Sequence, residues 1–217
     1  MNYDGLTHAG LLLHGSPADL ADGRPSFADF HRVVVGHRRI QGHRIRVEDN
    51  FPPHFSPLLQ LHGSLGWLRS PKGKLWRFSL DDLRDLDYWT ALGNGTTNWT
   101  PVVVLTDQKE RTIVRRPFAL AYDIFQQRLV SSDRWLIAGY GFGDEPVNEI
   151  FRTAWKTRMR ASLPQPEILV VDYKLANPRA QRVKVGKLLG IPTRQILVSN
   201  TGVPAVINDP DWTSWAA

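Results

Sequence analysis

The chain has 217 residues, 42% of them hydrophobic with eight Trp and nine Phe, which is long and apolar enough to bury a core and excludes a disordered tail; one domain is expected. It contains no cysteine, so disulfides, thiolate metal sites and a structural zinc ribbon are excluded. Its 27 Lys and Arg exceed 21 Asp and Glu for a net charge of +6, its longest apolar runs (Leu11 to Leu13, Pro101 to Leu105) fall short of the roughly 20 residues that span a bilayer, and its start, MNYDG, lacks a signal-peptide pattern, so a soluble cytoplasmic protein without a membrane partner is expected.

In chain order, Ser16 to Leu20 reads as a short helical turn, with Ser16 as cap and Pro17 at its first position. Residues 21–57 are rich in Gly, Pro, Arg and His and are expected to form an irregular basic excursion outside the sheet. Much of the excess charge lies there, in His31 to Arg46, HRVVVGHRRIQGHRIR. Such a run can face phosphates, but its ordinary reading is a solvated loop or strand edge. His31, His37 and His43 recur every six residues, a spacing that does not read as a metal site.

Leu58 to Leu61 is expected as a strand, with Leu65 to Leu68 continuing its apolar pattern. Ser79 to Leu92 is expected as a helix capped by Ser79, and Asp81 and Asp82 suit its positive end. Gly93 to Thr97 is a loop. From there apolar runs alternate with amphipathic stretches, which suggests parallel βα units. Strands are expected at Pro101 to Leu105, Arg134 to Gly139, Glu167 to Val171 and Gln195 to Val198. Helices are expected at Phe118 to Leu129, Glu145 to Arg160 with Asp144 as N-cap, and Pro178 to Leu189 ended by Gly190. The pattern is that of an α/β protein with part of a doubly wound, Rossmann-like parallel sheet.

Three segments carry chemistry. Asn2-Tyr3-Asp4-Gly5 is a short polar cluster. Leu58 to Leu68, LLQLHGSLGWL, sets His62 at the end of an apolar strand, followed by Gly63 and Ser64; in an open α/β sheet that is the edge where ligands bind, and a His there can act as a general base. Trp135 to Asn148, WLIAGYGFGDEPVN, runs a strand into a glycine-rich turn and a helix, where backbone N–H groups and the helix N-terminus can approach an anion. This G-x-G-x-G falls short of the dinucleotide fingerprint.

Together and in this order, the three segments resemble the sirtuin family, and within it the prokaryotic sirtuin-like NAD hydrolases. Asn2, Asp4, Gly5 and Leu6 match the family's first motif, His62, Gly63 and Ser64 its second, and Gly139, Tyr140, Phe142 and Asp144 its third. The resemblance implies an NAD-binding, doubly wound architecture that cleaves nicotinamide from ADP-ribose with NAD as substrate and without zinc, as such domains do in bacterial antiviral defence. It makes His62 and Asn2 catalytic: Asn2 contacts the nicotinamide ribose, and His62 orients or deprotonates a ribose hydroxyl. Asp4 would hold the carboxamide, and Gly63 and Ser64 would join the binding site. Gly139 and Tyr140 would border the phosphates and adenosine ribose, with Asp172 near the adenosine as a looser match. A second His-Gly-Ser, at His14 to Ser16, lies only ten residues past Asp4 and lacks the flanking LLQL and LGWL.

The family's N-terminal strand and Gly-Ala-Gly-x-Ser phosphate loop precede the Asn motif, so the resemblance implies a chain that starts in mid-fold and has little NAD-cleaving activity alone. Against this enzyme stand a non-catalytic remnant or interaction module of the same fold and a nucleic-acid binder resting only on the basic segment, for which no recognised motif is present. Homo-oligomerisation is left open.

Overall fold

The computed structural model describes residues 30–36, 38–45, 59–104, 109–173 and 176–217. The Asn2 to Leu6 motif, His14 to Ser16 and the expected turn at Ser16 to Leu20 lie outside them. The chain is mixed α/β and divides into two compact units, Met1–Tyr122 and Asp123–Ala217.

The described part of the first unit is built on an antiparallel sheet of strands β1 (Phe30–Val35), β2 (Arg38–Arg44), β3 (Gly63–Arg69), β4 (Leu75–Phe78) and β5 (Thr100–Val103), in the order β1-β2-β4-β3-β5. The expected irregular excursion over 21–57 thus contains a regular hairpin. Its inward residues are apolar: Val33, Val35 and Ile40 pack with Leu68 and Phe78 into a core closed by Leu83, Tyr88 and Trp99. Gly42 is required there, since a Cβ would meet the Phe78 ring at 2.5 Å. Helices α1 (Leu80–Asp85) and α2 (Tyr88–Gly93) supply Leu83 and Tyr88. The single helix expected over Ser79 to Leu92 is broken by Asp87, whose φ of 53° is left-handed and cannot continue a right-handed helix. Ser79 caps as expected, its Oγ accepting from the Asp81 amide at 3.2 Å. On the opposite face Ile45, Trp67, Leu75, Val102, Val104 and Phe118 form a second core.

Two strand expectations change here. Residues 59–62 form no strand: the Gly63 amide donates to the Gln60 carbonyl at 2.9 Å, closing a turn, and β3 starts only at Gly63. The run at Pro101 to Leu105 forms β5, which pairs antiparallel with β3 instead of joining a parallel sheet, and Leu105 lies outside the described residues. An apolar run such as PVVV occurs in parallel and antiparallel central strands alike, so it does not fix strand direction. A short helix α3 (Lys109–Ile113) leads to α4 (Phe118–Ser131).

The second unit has the expected parallel pattern: β6 (Arg134–Ala138), α5 (Glu145–Arg160), β7 (Glu167–Val171), α6 (Pro178–Leu189) and β8 (Ile196–Ser199). The three strands pair in parallel in sequence order. Ile168 to Val171 of the central strand are all buried, which is why EILVV lacks alternation. Helices cover both faces. Gly186 of α6 lies so close to Ile196 and to the Ile191 carbonyl that a Cβ would meet the carbonyl at 2.8 Å, while Trp212 and Trp215 of α7 (Pro210–Ala216) pack on Leu169, Val171 and Leu197 of the other face. Asp144, Asn177 and Asp209 cap α5, α6 and α7 with side-chain oxygens, and Gly190 closes α6 with φ 65°. Among the described residues, no helix is long and apolar enough to cross a membrane.

Candidate functional site

His62 sits in the turn before β3, at the opening end of an antiparallel strand. Its carbonyl accepts from the Val104 amide at 2.9 Å, which fixes the backbone beside β5. Gly63 has φ 79°, and a Cβ on it would lie 2.1 Å from the Val102 carbonyl oxygen, so the sheet itself demands glycine there. Ser64 Oγ accepts from the Gly66 amide at 3.2 Å. The half-buried His62 ring has Lys109 Nζ at 3.1 Å from its Nε2. The donor and acceptor roles in this contact follow the tautomer of the ring: beside a lysine ammonium, Nε2 can only accept. Lys109 is 47 residues away, and nothing in the sequence couples the two.

The structure brings three other candidates to the carboxyl edge of the parallel sheet. Ala138, Val171 and Ser199 end the three strands in register, and the Gly139 amide donates to the Val171 carbonyl at 3.3 Å. Gly139, with φ 64°, opens the turn. Beside it Asp172 Oδ1 accepts from the Tyr173 amide at 2.8 Å and Oδ2 accepts from Gln181 Nε2 at 3.2 Å. Asp172 therefore holds its own loop to the start of α6.

The turn from Gly139 to Gly143 is braced from within. Phe142 is buried with φ 58°, a left-handed conformation that costs roughly 1–2 kcal/mol for a residue with a Cβ. Asn148, fully buried on the first turns of α5, donates from Nδ2 to the Phe142 carbonyl at 3.0 Å. Tyr140 Oη lies 2.9 Å from both the Asp144 carbonyl and Asn148 Oδ1, acceptors for its one proton. Burial, with the Asp144 carboxylate next in weight, pushes the Tyr140 phenol well above its usual range. Asn148 is the residue the motif reading undervalued, although its spacing of four from Asp144 puts it one helical turn away.

The amides of Tyr140, Gly141, Phe142 and Gly143 donate to no acceptor among the described residues. Asp144 Oδ1 takes the Val147 amide of the first helical turn at 3.3 Å, so the cap satisfies a donor of the helix and none of these loop amides. A Cβ on Gly141 or Gly143 would meet nothing within 4 Å, and neither has a left-handed φ. The fold does not require glycine at either position; the close approach of an anion to the backbone would. Among the described residues, no group of three or more His, Cys, Asp or Glu is placed to hold a metal ion.

No protein-family model matches this chain, and no curated protein matches it.

Proposed function

We propose that the chain is a sirtuin-like NAD hydrolase, with its parallel sheet serving as part of a doubly wound, Rossmann-like NAD-binding fold in a cytoplasmic bacterial defence protein. One observation carries the reading: four loop amides at the carboxyl end of β6 without an acceptor among the described residues, two of them at glycines that packing does not demand. Such amides are suited to a pyrophosphate, because they supply fixed donors to an anion leaving water. Asp172, on the neighbouring strand end, offers a carboxylate to a ribose hydroxyl, as ligands at the carboxyl edge of α/β sheets commonly require.

In the reaction, the bond between ribose C1′ and the nicotinamide nitrogen breaks with its electron pair going to the ring, so the pyridinium leaves as neutral nicotinamide. The positive charge left on the ribose is captured by water, which loses a proton. His62 would take a hydroxyl proton at Nε2, exchanging the Lys109 N–H for the substrate O–H. Asn2 and Asp4 enter only through the sirtuin resemblance, as contacts to the nicotinamide ribose and the carboxamide. The Lys109 contact also favours a second reading, a non-catalytic module in which His62 is a structural acceptor.

The test is nicotinamide release from NAD, followed by chromatography, by protein expressed from its whole reading frame. His62→Ala is expected to abolish release with thermal unfolding unchanged, and Gly141→Val to weaken NAD binding. Release by His62→Ala at the wild-type rate, or none by wild type at millimolar NAD, overturns the enzymatic reading.

A further inference from the structure

The basic run that the NAD reading leaves unused has a defined geometry. Cross-strand partners share a sheet face, and in the registers Arg32 opposite Gln41, Val34 opposite Arg39, and His43 opposite Arg77 all of these residues fall on one face of β1, β2 and β4. Arg32, Val34, Arg39 and Gln41 are exposed, and His43 and Arg77 are half-buried. Arg32 and Arg39 form no ion pair among the described residues. The three strands contain no Asp or Glu. Charges that only protect a sheet edge belong on the edge strand. Here they run inward from β1 to Arg77 on β4, the middle strand of the five.

We propose that this face binds nucleic acid through its phosphate backbone. Alternate residues on a strand are roughly 6.6 Å apart and neighbouring strands roughly 4.8 Å, so the face presents a compact grid of donors with no acidic residue on its strands to repel a polyanion. Of the aromatic side chains described on the sheet, Trp67 on this face is 2% exposed and Trp76 lies on the other, so neither is placed to stack on a base. Binding is therefore sequence-independent. Among the side chains described on this face, Val34 is the one exposed large apolar group, at 53%, too little to anchor in a lipid surface, which sets nucleic acid above an anionic membrane.

Fluorescence anisotropy with labelled 20-nucleotide single-stranded and duplex DNA of mixed sequence, across 50–200 mM salt, reads the proposal. Wild type is expected to bind with an affinity that falls steeply with salt. The double variant Arg32→Gln/Arg39→Gln should reduce the duplex log–log salt slope by about 1.8, and so weaken binding roughly 60-fold at 0.1 M salt, if each Arg neutralises one phosphate. Arg32→Lys/Arg39→Lys should retain binding, and circular dichroism should be unchanged in both variants. Equal binding by wild type and the Gln variant, or binding to phosphatidylserine vesicles without binding to either DNA, overturns the proposal. The outcome is independent of nicotinamide release, so the two readings fail separately.

Discussion

Replacing Gly63 and Gly141 by alanine separates what the fold requires from what a ligand requires. At Gly63 the new Cβ would sit 2.1 Å from the Val102 carbonyl oxygen, and the residue would be held at φ 79°. The left-handed conformation costs roughly 1–2 kcal/mol with a Cβ present, and pushing β3 off β5 to relieve the overlap adds roughly 1–3 kcal/mol. The sum is about 2–5 kcal/mol. A chain of this length loses about 2–4 °C of melting temperature per kcal/mol, so Gly63→Ala should unfold roughly 4–20 °C early. At Gly141 the Cβ meets nothing within 4 Å and the φ is not left-handed, so Gly141→Ala should change stability by no more than roughly 0.5 kcal/mol. Urea unfolding followed by Trp fluorescence, beside NAD titration, gives both quantities. A Gly63→Ala protein as stable as wild type would refute the claim that sheet packing demands this glycine and would return the residue to the candidate binding site.

Arg158 is buried in α5, bonding the exposed Asp133 at 2.6 Å and the Val130 and Pro164 carbonyls at 2.5 and 2.6 Å; Arg158→Ala strands the two carbonyls and should cost about 1–3 kcal/mol in urea unfolding, whereas Arg160→Ala, exposed on the same helix, should cost little. Tyr140 should remain a phenol above pH 10: because its folded pKa is raised, its contribution to stability is complete below its unfolded value and is lost as pH rises through the folded one, so absorbance at 295 nm should show late-titrating phenols, Tyr140 as well as Tyr88, pushed up to about 12 by burial, of which Tyr140→Phe removes one. Asn148→Ala leaves the Phe142 carbonyl without its donor and removes one of the two acceptors of the Tyr140 hydroxyl, and should destabilise by about 1–3 kcal/mol and loosen NAD binding together; a change in neither would show that the turn is not braced through Asn148.

The second unit was legible because its central strand is buried on both faces and its strands are separated by helices with explicit punctuation. Asp144, Asn177 and Gly190 mark helix ends with side chains or a conformation that have a local physical meaning, and all three act as their residue types suggest. The first unit was less legible because its apolar runs do not encode strand direction. PVVV looks the same whether its neighbour runs parallel or antiparallel, and only the pairing of β5 with β3, over 30 residues back, decides. The hairpin was hidden for another reason: Val34 is apolar and exposed, which breaks the alternation of Arg32 and Arg39 with Val33, Val35 and Ile40. The break at Asp87 has no sequence signal of the Gly or Pro kind, since a left-handed Asp is an option that only tertiary packing selects.

The two motifs that suggested a nucleotide thus differ in what their glycines mean. In His-Gly-Ser the glycine is explained by the Val102 carbonyl and the serine by the Gly66 amide, so Gly63 and Ser64 satisfy the sheet without a ligand. The sequence placed His62 at a strand's carboxyl end, yet it occupies a turn entering an antiparallel strand, where the rule for open α/β sheets has no force. What sets His62 apart is therefore its contact with Lys109 and not its position in a motif. In Gly-Tyr-Gly-Phe-Gly the reverse holds: the turn is held by the buried Asn148 and the strained Phe142, four of its amides have no acceptor among the described residues, and packing leaves Gly141 and Gly143 unexplained. A fold retains strain and unpaired donors where something outside the chain repays them, which moves the weight of the NAD reading from the histidine to the turn after β6.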